Sequence, residues 1–248
     1  MLFKLSYKKS IFVVISLTFS HYIINNINSS FLKILFTTLM YIYFIYLTSK
    51  FEISWRKNYP VTKTNLLFSY LGVLGFILIN FSIPTLYNLM FKKSVEIESF
   101  NLEQFPPIII ISKILLFPFL EELFFRKTIL QGLSNSYGAK RGILISAIFF
   151  SFAHLFSGNG LLIAFLGGIV LGIIFNKTQN LYHVTFLHIL INLFILYVSP
   201  LMLEFFNKLP YNNSVLILVI IIIIGLFLII KMKKITDVKT LDNYDLNK

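Results

Sequence analysis

A chain of 248 residues that is 57% hydrophobic and only 13% charged is not an ordinary soluble domain; its composition and a mean hydropathy of +0.81 indicate a polytopic helical membrane protein. Cysteine is absent, which removes disulfides, thiolate metal sites and thiol nucleophiles. The net charge of +12 does not indicate nucleic acid, because Lys and Arg flank apolar runs instead of gathering on one element, the pattern of membrane orientation.

Runs long and apolar enough to cross a bilayer predict an all-α bundle of about eight spans, near residues 10–27, 31–49, 65–90, 107–131, 142–158, 160–176, 181–203 and 214–230. The first follows Lys4, Lys8 and Lys9 like a signal peptide. His21 to Ile24 stand where a small-residue cleavage site belongs, so the span is expected to be retained. A tight turn at Ser157, Gly158, Asn159 and Gly160 joins the short fifth and sixth spans. The polar, aperiodic stretch from Lys231 reads as a disordered cytoplasmic tail, with Lys231, Lys233 and Lys234 as a membrane anchor. Domains are accordingly 1–106 (three helices and loops), 107–200 (a core), 201–230 (last loop and helix) and 231–248 (tail).

With both termini cytoplasmic, the inner segments carry 16 Lys and Arg and the outer loops three, Lys92, Lys93 and Lys208. That asymmetry sets the orientation. Heavy use of Ile, Phe, Asn and Lys points to an AT-rich, bacterial source and hence to the plasma membrane.

Against this apolar background the polar residues stand out. A charge at the centre of a membrane helix costs roughly 2.5–3.5 kcal/mol, so Glu121, Glu122 and Arg126 together would cost on the order of 7–10 if ionised and unpaired. Glu122 and Arg126, four apart, share a helix face, whereas Glu121 is turned by about 100°. An ion pair between Glu122 and Arg126 braces the helix and leaves Glu121 to face a cavity, where a buried carboxylate suits general-base work. Pro118 removes a backbone hydrogen bond just above the pair and predicts a kink.

His154 closes the string from Phe150, and His188 with Asn192 puts an imidazole and a carboxamide on one face, two donors suited to an oxyanion. Counted from the inner ends of their spans, Glu121, His154 and His188 lie roughly 20, 18 and 12 Å deep at 1.5 Å per residue, in one layer of the inner half of the bilayer. His21 and His183 read as packing residues. Lys113 reads as a snorkelling residue near an outer end, and Gly167, Gly168 and Gly172 as a close-packing face.

Glu121-Glu122-Leu-Phe-Phe-Arg126, Phe150 to His154 and His188 to Asn192 resemble, in order and spacing, the EExxxR, FxxxH and HxxxN motifs of the CAAX protease and bacteriocin-processing (Abi) family of intramembrane proteases. Three motifs on three separate predicted helices make the resemblance specific; it covers about residues 107 to 200. It implies an eight-helix bundle with a cavity open to the cytoplasmic side, acting on a peptide or membrane-protein substrate within the bilayer. Its eukaryotic branch removes the last three residues of prenylated CAAX proteins, and its bacterial branch serves peptide maturation, bacteriocin immunity or regulation.

On that reading Glu121, with His154, activates a water, while His188 and Asn192 hold the oxyanion. A divalent metal such as zinc would take Glu121, His154 and His188 as ligands, although no HExxH spacing occurs and a metal-free route is preferred. Two other classes use the same residues: a non-catalytic immunity or scaffold protein, and a transporter with a Glu/His proton relay. The lack of inverted-repeat symmetry counts against the transporter.

Overall fold

The computed structural model describes residues 5–49, 61–91, 106–155 and 160–236. Helices α1 (Tyr7–Asn25), α2 (Ser30–Ser49) and α3 (Lys63–Phe91) precede a continuous rod. That rod contains α4 (Pro107–Ile111), π1 (Ser112–Leu116), α5 (Phe117–Glu122), π2 (Leu123–Leu130) and α6 (Gln131–Tyr137). Then come α7 (Ala139–Ala153) and α8 (Leu161–Thr178). A second rod joins α9 (Leu181–Leu193), π3 (Phe194–Val198) and α10 (Ser199–Lys208), and α11 (Tyr211–Thr236) follows.

No strand occurs among the described residues. Among the described residues, five stretches are long and apolar enough to cross a membrane: Ser30–Thr48, Lys63–Phe91, Leu161–Thr178, Leu181–Lys208 and Tyr211–Met232. The chain is therefore an all-helical, multi-pass membrane protein. The first rod falls outside that set because Lys113, Glu121, Glu122, Arg126 and Lys127 interrupt its apolar surface.

Two boundaries differ from the expectation. Helix α11 continues to Thr236, six residues into the predicted tail, because lysine is a good helix former and nothing breaks the ladder there. Residues 237–248 lie outside the described residues, as do residues 157–159 of the predicted turn. Helix α7 ends at Ala153 instead of 158, so His154 caps it.

Contacts between helix ends define two faces of the bundle. At one, the Leu5 N–H donates to Gly132 O and Ser136 Oγ, Tyr7 stacks on Tyr137, Lys177 lies over the Phe68 ring and Met232 packs on Gly72. Both described chain ends are here. At the opposite face His21 meets Ala153, Ser151 Oγ donates to Leu161 O, and Phe206 packs on Phe81. Glycine permits the closest crossings: a Cβ on Gly168 would stand 2.9 Å from Ala147 Cα, and one on Gly75 2.7 Å from Gly225 O. Gly138, at φ +86°, makes the turn from α6 into α7.

The winding of the first rod has two identifiable causes. Pro118 has no N–H for the ladder, and the preceding Phe117 N–H reaches back five residues to Ser112 O. Further along, Ser146 Oγ of α7 donates to Phe125 O at 2.9 Å and Thr128 Oγ1 to Leu123 O at 3.1 Å. A side chain that claims a ladder carbonyl widens the helix there. Between these π stretches sits α5, ending on Glu121 and Glu122.

Candidate active site

The two adjacent carboxylates part as their angular offset requires. Glu122 is fully buried, and its Oε2 accepts from Arg126 Nε at 2.8 Å. Its other oxygen, Oε1, accepts from His188 Nδ1 at 2.9 Å. One carboxylate thus ties a cation on its own rod to an imidazole on α9. The sequence placed Glu122 and Arg126 together but contained no sign of the link to His188, which spans 66 residues.

Glu121 instead faces a cavity of about 650 Å³, within the range of ligand-binding pockets. Two imidazoles approach its Oε2: His188 Nε2 at 3.8 Å and His154 Nε2 at 3.9 Å. Both rings are oriented by the opposite nitrogen. His154 Nδ1 donates to Phe150 O at 2.9 Å, and His188 Nδ1 donates to Glu122. Since a carbonyl and an ion-paired carboxylate can only accept, each Nδ1 carries its proton and each Nε2 faces Glu121. Asn192, one turn beyond His188, lines the same cavity.

Phe150 holds these parts in register. Its ring packs on His154, His188 and Phe125, and the Arg126 guanidinium lies 5.0 Å above its centroid. That cation–π contact is significant because Arg126 Nη1 and Nη2 have no hydrogen-bond partner among the described residues.

Two expectations change here. His21, read as a packing residue, lines the cavity; its Nδ1 donates to Ala153 O at 3.2 Å, capping α7 just before His154, and its ring packs edge-on to Tyr41. The signal available in the sequence was position: His21 lies one turn from the end of α1, at the face where His154 ends α7. His183 stays at the start of α9, away from the cavity. Lys113 is exposed to solvent or lipid and also lines the upper cavity.

The second change concerns direction. The lining residues include Asn25 of α1, Thr37 of α2, Ile110 of α4 and Pro200 of α10, all on one side of the Glu121–His188 layer. The cavity therefore extends toward the face opposite the chain ends. Both termini cytoplasmic and a cavity open to the cytoplasm cannot hold together in this fold. The layer itself stands about 24 Å above the end of α6 at Glu121 and about 22 Å above the start of α7 at His154, at 1.5 Å per residue. His188, seven residues from the start of α9, stands about 10 Å above that helix end by the same count.

As metal ligands the three candidates fit poorly. A tetrahedral zinc with ligands at about 2.0–2.1 Å holds them about 3.3–3.4 Å apart, closer than the separations of 3.8 and 3.9 Å here. No group of three His, Asp or Glu side chains among the described residues is arranged to hold an ion.

Residues 103–194 match the family model described as type II CAAX prenyl endopeptidase Rce1-like. The matched segment contains all three polar motifs and excludes α1 and α2, which supply His21 and Tyr41 to the site. No curated protein and no solved structure matches the chain.

Proposed function

Because residues 103–194 match the type II CAAX prenyl endopeptidase Rce1-like family model, we propose that this protein is an intramembrane endopeptidase of the CAAX protease and bacteriocin-processing kind that hydrolyses a peptide bond with a glutamate-activated water. The observation that carries the reading is the convergence of two oriented imidazoles on one oxygen of Glu121, at 3.8 and 3.9 Å, inside a cavity. These separations are too long for direct hydrogen bonds and suit an intervening oxygen that touches both partners.

In the proposed reaction Glu121 accepts a proton from the water as its oxygen bonds to the scissile carbonyl carbon. His154 Nε2 accepts from the water's other hydrogen and fixes its approach. The developing oxyanion is held by Asn192 Nδ2 and by His188. Because His188 Nδ1 already donates to Glu122, its Nε2 donates only when the ring carries both protons, and the Glu122 carboxylate offsets that charge. Collapse of the tetrahedral intermediate breaks the C–N bond, and Glu121 returns its proton to the leaving amine. Arg126, 2.8 Å from Glu122 Oε2, holds that carboxylate in place. No step requires a metal.

The bundle is proposed to cross a bacterial plasma membrane eight times with both ends cytoplasmic, as the basic residues indicate. Peptide maturation, bacteriocin immunity or regulation is the proposed setting. Mass spectrometry of membrane peptides from cells with the wild-type chain and with Glu121→Ala tests the reaction. Fragments confined to the wild type are expected, and Asn192→Ala should slow their release by about two to three orders of magnitude. Cleavage at near wild-type rate in Glu121→Ala would overturn the hydrolytic assignment. A phenotype retained by Glu121→Gln would indicate a binding protein instead.

A further inference from the structure

We infer that the cavity is loaded from the face of the membrane opposite the cytoplasm, so that its substrates are peptide segments that lie outside or have already crossed. This inference rests on the proposed peptidase reading for what enters, and on the fold and charge pattern for the side of entry.

The floor of the cavity is closed. Below Glu121 the first rod continues through Phe124, Phe125, Ile129, Leu130 and Leu133, all of them at most 1% exposed. These side chains belong to the main core, packed with α7, α8 and α9 residues such as Phe150, Phe175 and Leu187. Glu122, Arg126, Lys127 and Thr128 on the same stretch are buried as well, so the layer below Glu121 is close-packed and not an open passage. Above Glu121 the rod lines the cavity as far as Ile110, eleven residues and about 16 Å along the axis. The shaft is mainly apolar, with Thr37, Asn25 and Lys113 among its polar lining, as suits an extended apolar segment with a polar end.

Charge then fixes which face this is. The closed face carries Lys8 and Lys9 at the start of α1, Lys63 at the start of α3, Lys140 and Arg141 at the start of α7, and Lys177 at the end of α8. With Lys231, Lys233 and Lys234 near the end of α11, nine basic residues among the described ones mark the closed face, against Lys33, Lys113 and Lys208 toward the open one. Basic residues are retained on the cytoplasmic side. The closed face is therefore cytoplasmic and the shaft opens outward.

The absence of cysteine allows a direct test on the full chain, since the parent protein is a blank for thiol reagents. Asn25→Cys and Thr37→Cys place a single thiol at the cavity, and Lys140→Cys places one on the opposite face. A membrane-impermeant maleimide is applied to spheroplasts and to inverted vesicles of the same bacterial host. The cavity cysteines should label in spheroplasts and Lys140→Cys only in inverted vesicles. Leu196→Cys, on another wall, serves if Thr37→Cys fails to reach the membrane. Labelling of the cavity cysteines only in inverted vesicles, or equally in both, overturns the inference. Repeating the experiment on Glu121→Gln protein separates the two claims, because labelling needs no hydrolysis. An outward pattern with cleavage persisting in Glu121→Ala would refute the peptidase mechanism and leave the access route standing.

Discussion

Two neighbouring glutamates with the same charge should respond in opposite ways to the same isosteric change. Glu122→Gln keeps the side chain's shape but removes the carboxylate bonded to Arg126, which is completely buried. It also weakens the acceptor of the His188 Nδ1–H. Leaving one member of a buried ion pair uncompensated costs about 3–5 kcal/mol. At about 2–4 °C per kcal/mol for a chain of this size, the unfolding midpoint should fall by about 6–20 °C.

Glu121→Gln removes a carboxylate whose two neighbouring imidazole nitrogens stand at 3.8 and 3.9 Å, outside hydrogen-bond range. Its stability should stay within about 0.5 kcal/mol of the parent, or rise as a partly buried charge is lost. Size-exclusion recovery after heating detergent-solubilised protein reads both midpoints. A Glu122→Gln midpoint within about 2 °C of the parent, or a fall in Glu121→Gln as large as its neighbour's, would refute this division of roles.

Phe150→Ala opens the space shared by Arg126, His154 and His188 and should cost about 3–5 kcal/mol, whereas the exposed neighbour in Phe152→Ala should be nearly silent in the same melt. His21→Phe keeps a ring against Tyr41 but loses the hydrogen bond that caps α7, and should slow cleavage by about tenfold, equivalent to about 1.4 kcal/mol. His183→Phe, remote from the cavity, is its control, and equal rates in the two variants would return His21 to a packing role. Exhaustive chelation of the purified chain should leave Glu121-dependent cleavage unchanged; a loss that only added zinc restores would show that the three donors close around an ion after all.

What the sequence conveyed well was whatever follows from helix periodicity and from the cost of polar groups in lipid. The four-residue spacing put Glu122 on Arg126, and the 100° offset sent Glu121 elsewhere. Both relations are local, so they survive even with α5 set between two π-helical stretches. What it conveyed poorly depends on which helix lies beside which. The bond from Glu122 to His188 and the capping of α7 by His21 join segments 66 and 132 residues apart, and no single-helix rule predicts either. The π2 stretch belongs to the same class, since it is Ser146 on α7 that occupies Phe125 O.

The direction of the cavity shows how the two kinds of information combine. Charge counting orients helix ends but is silent on cavities, and a family likeness carried a cavity direction taken from elsewhere. Only the packed bundle shows that Phe124, Phe125, Ile129 and Leu133 seal the basic side. On the proposed peptidase reading, a layer sealed on that side reaches peptide through the other, and the shaft that admits peptide is also the route by which water reaches Glu121.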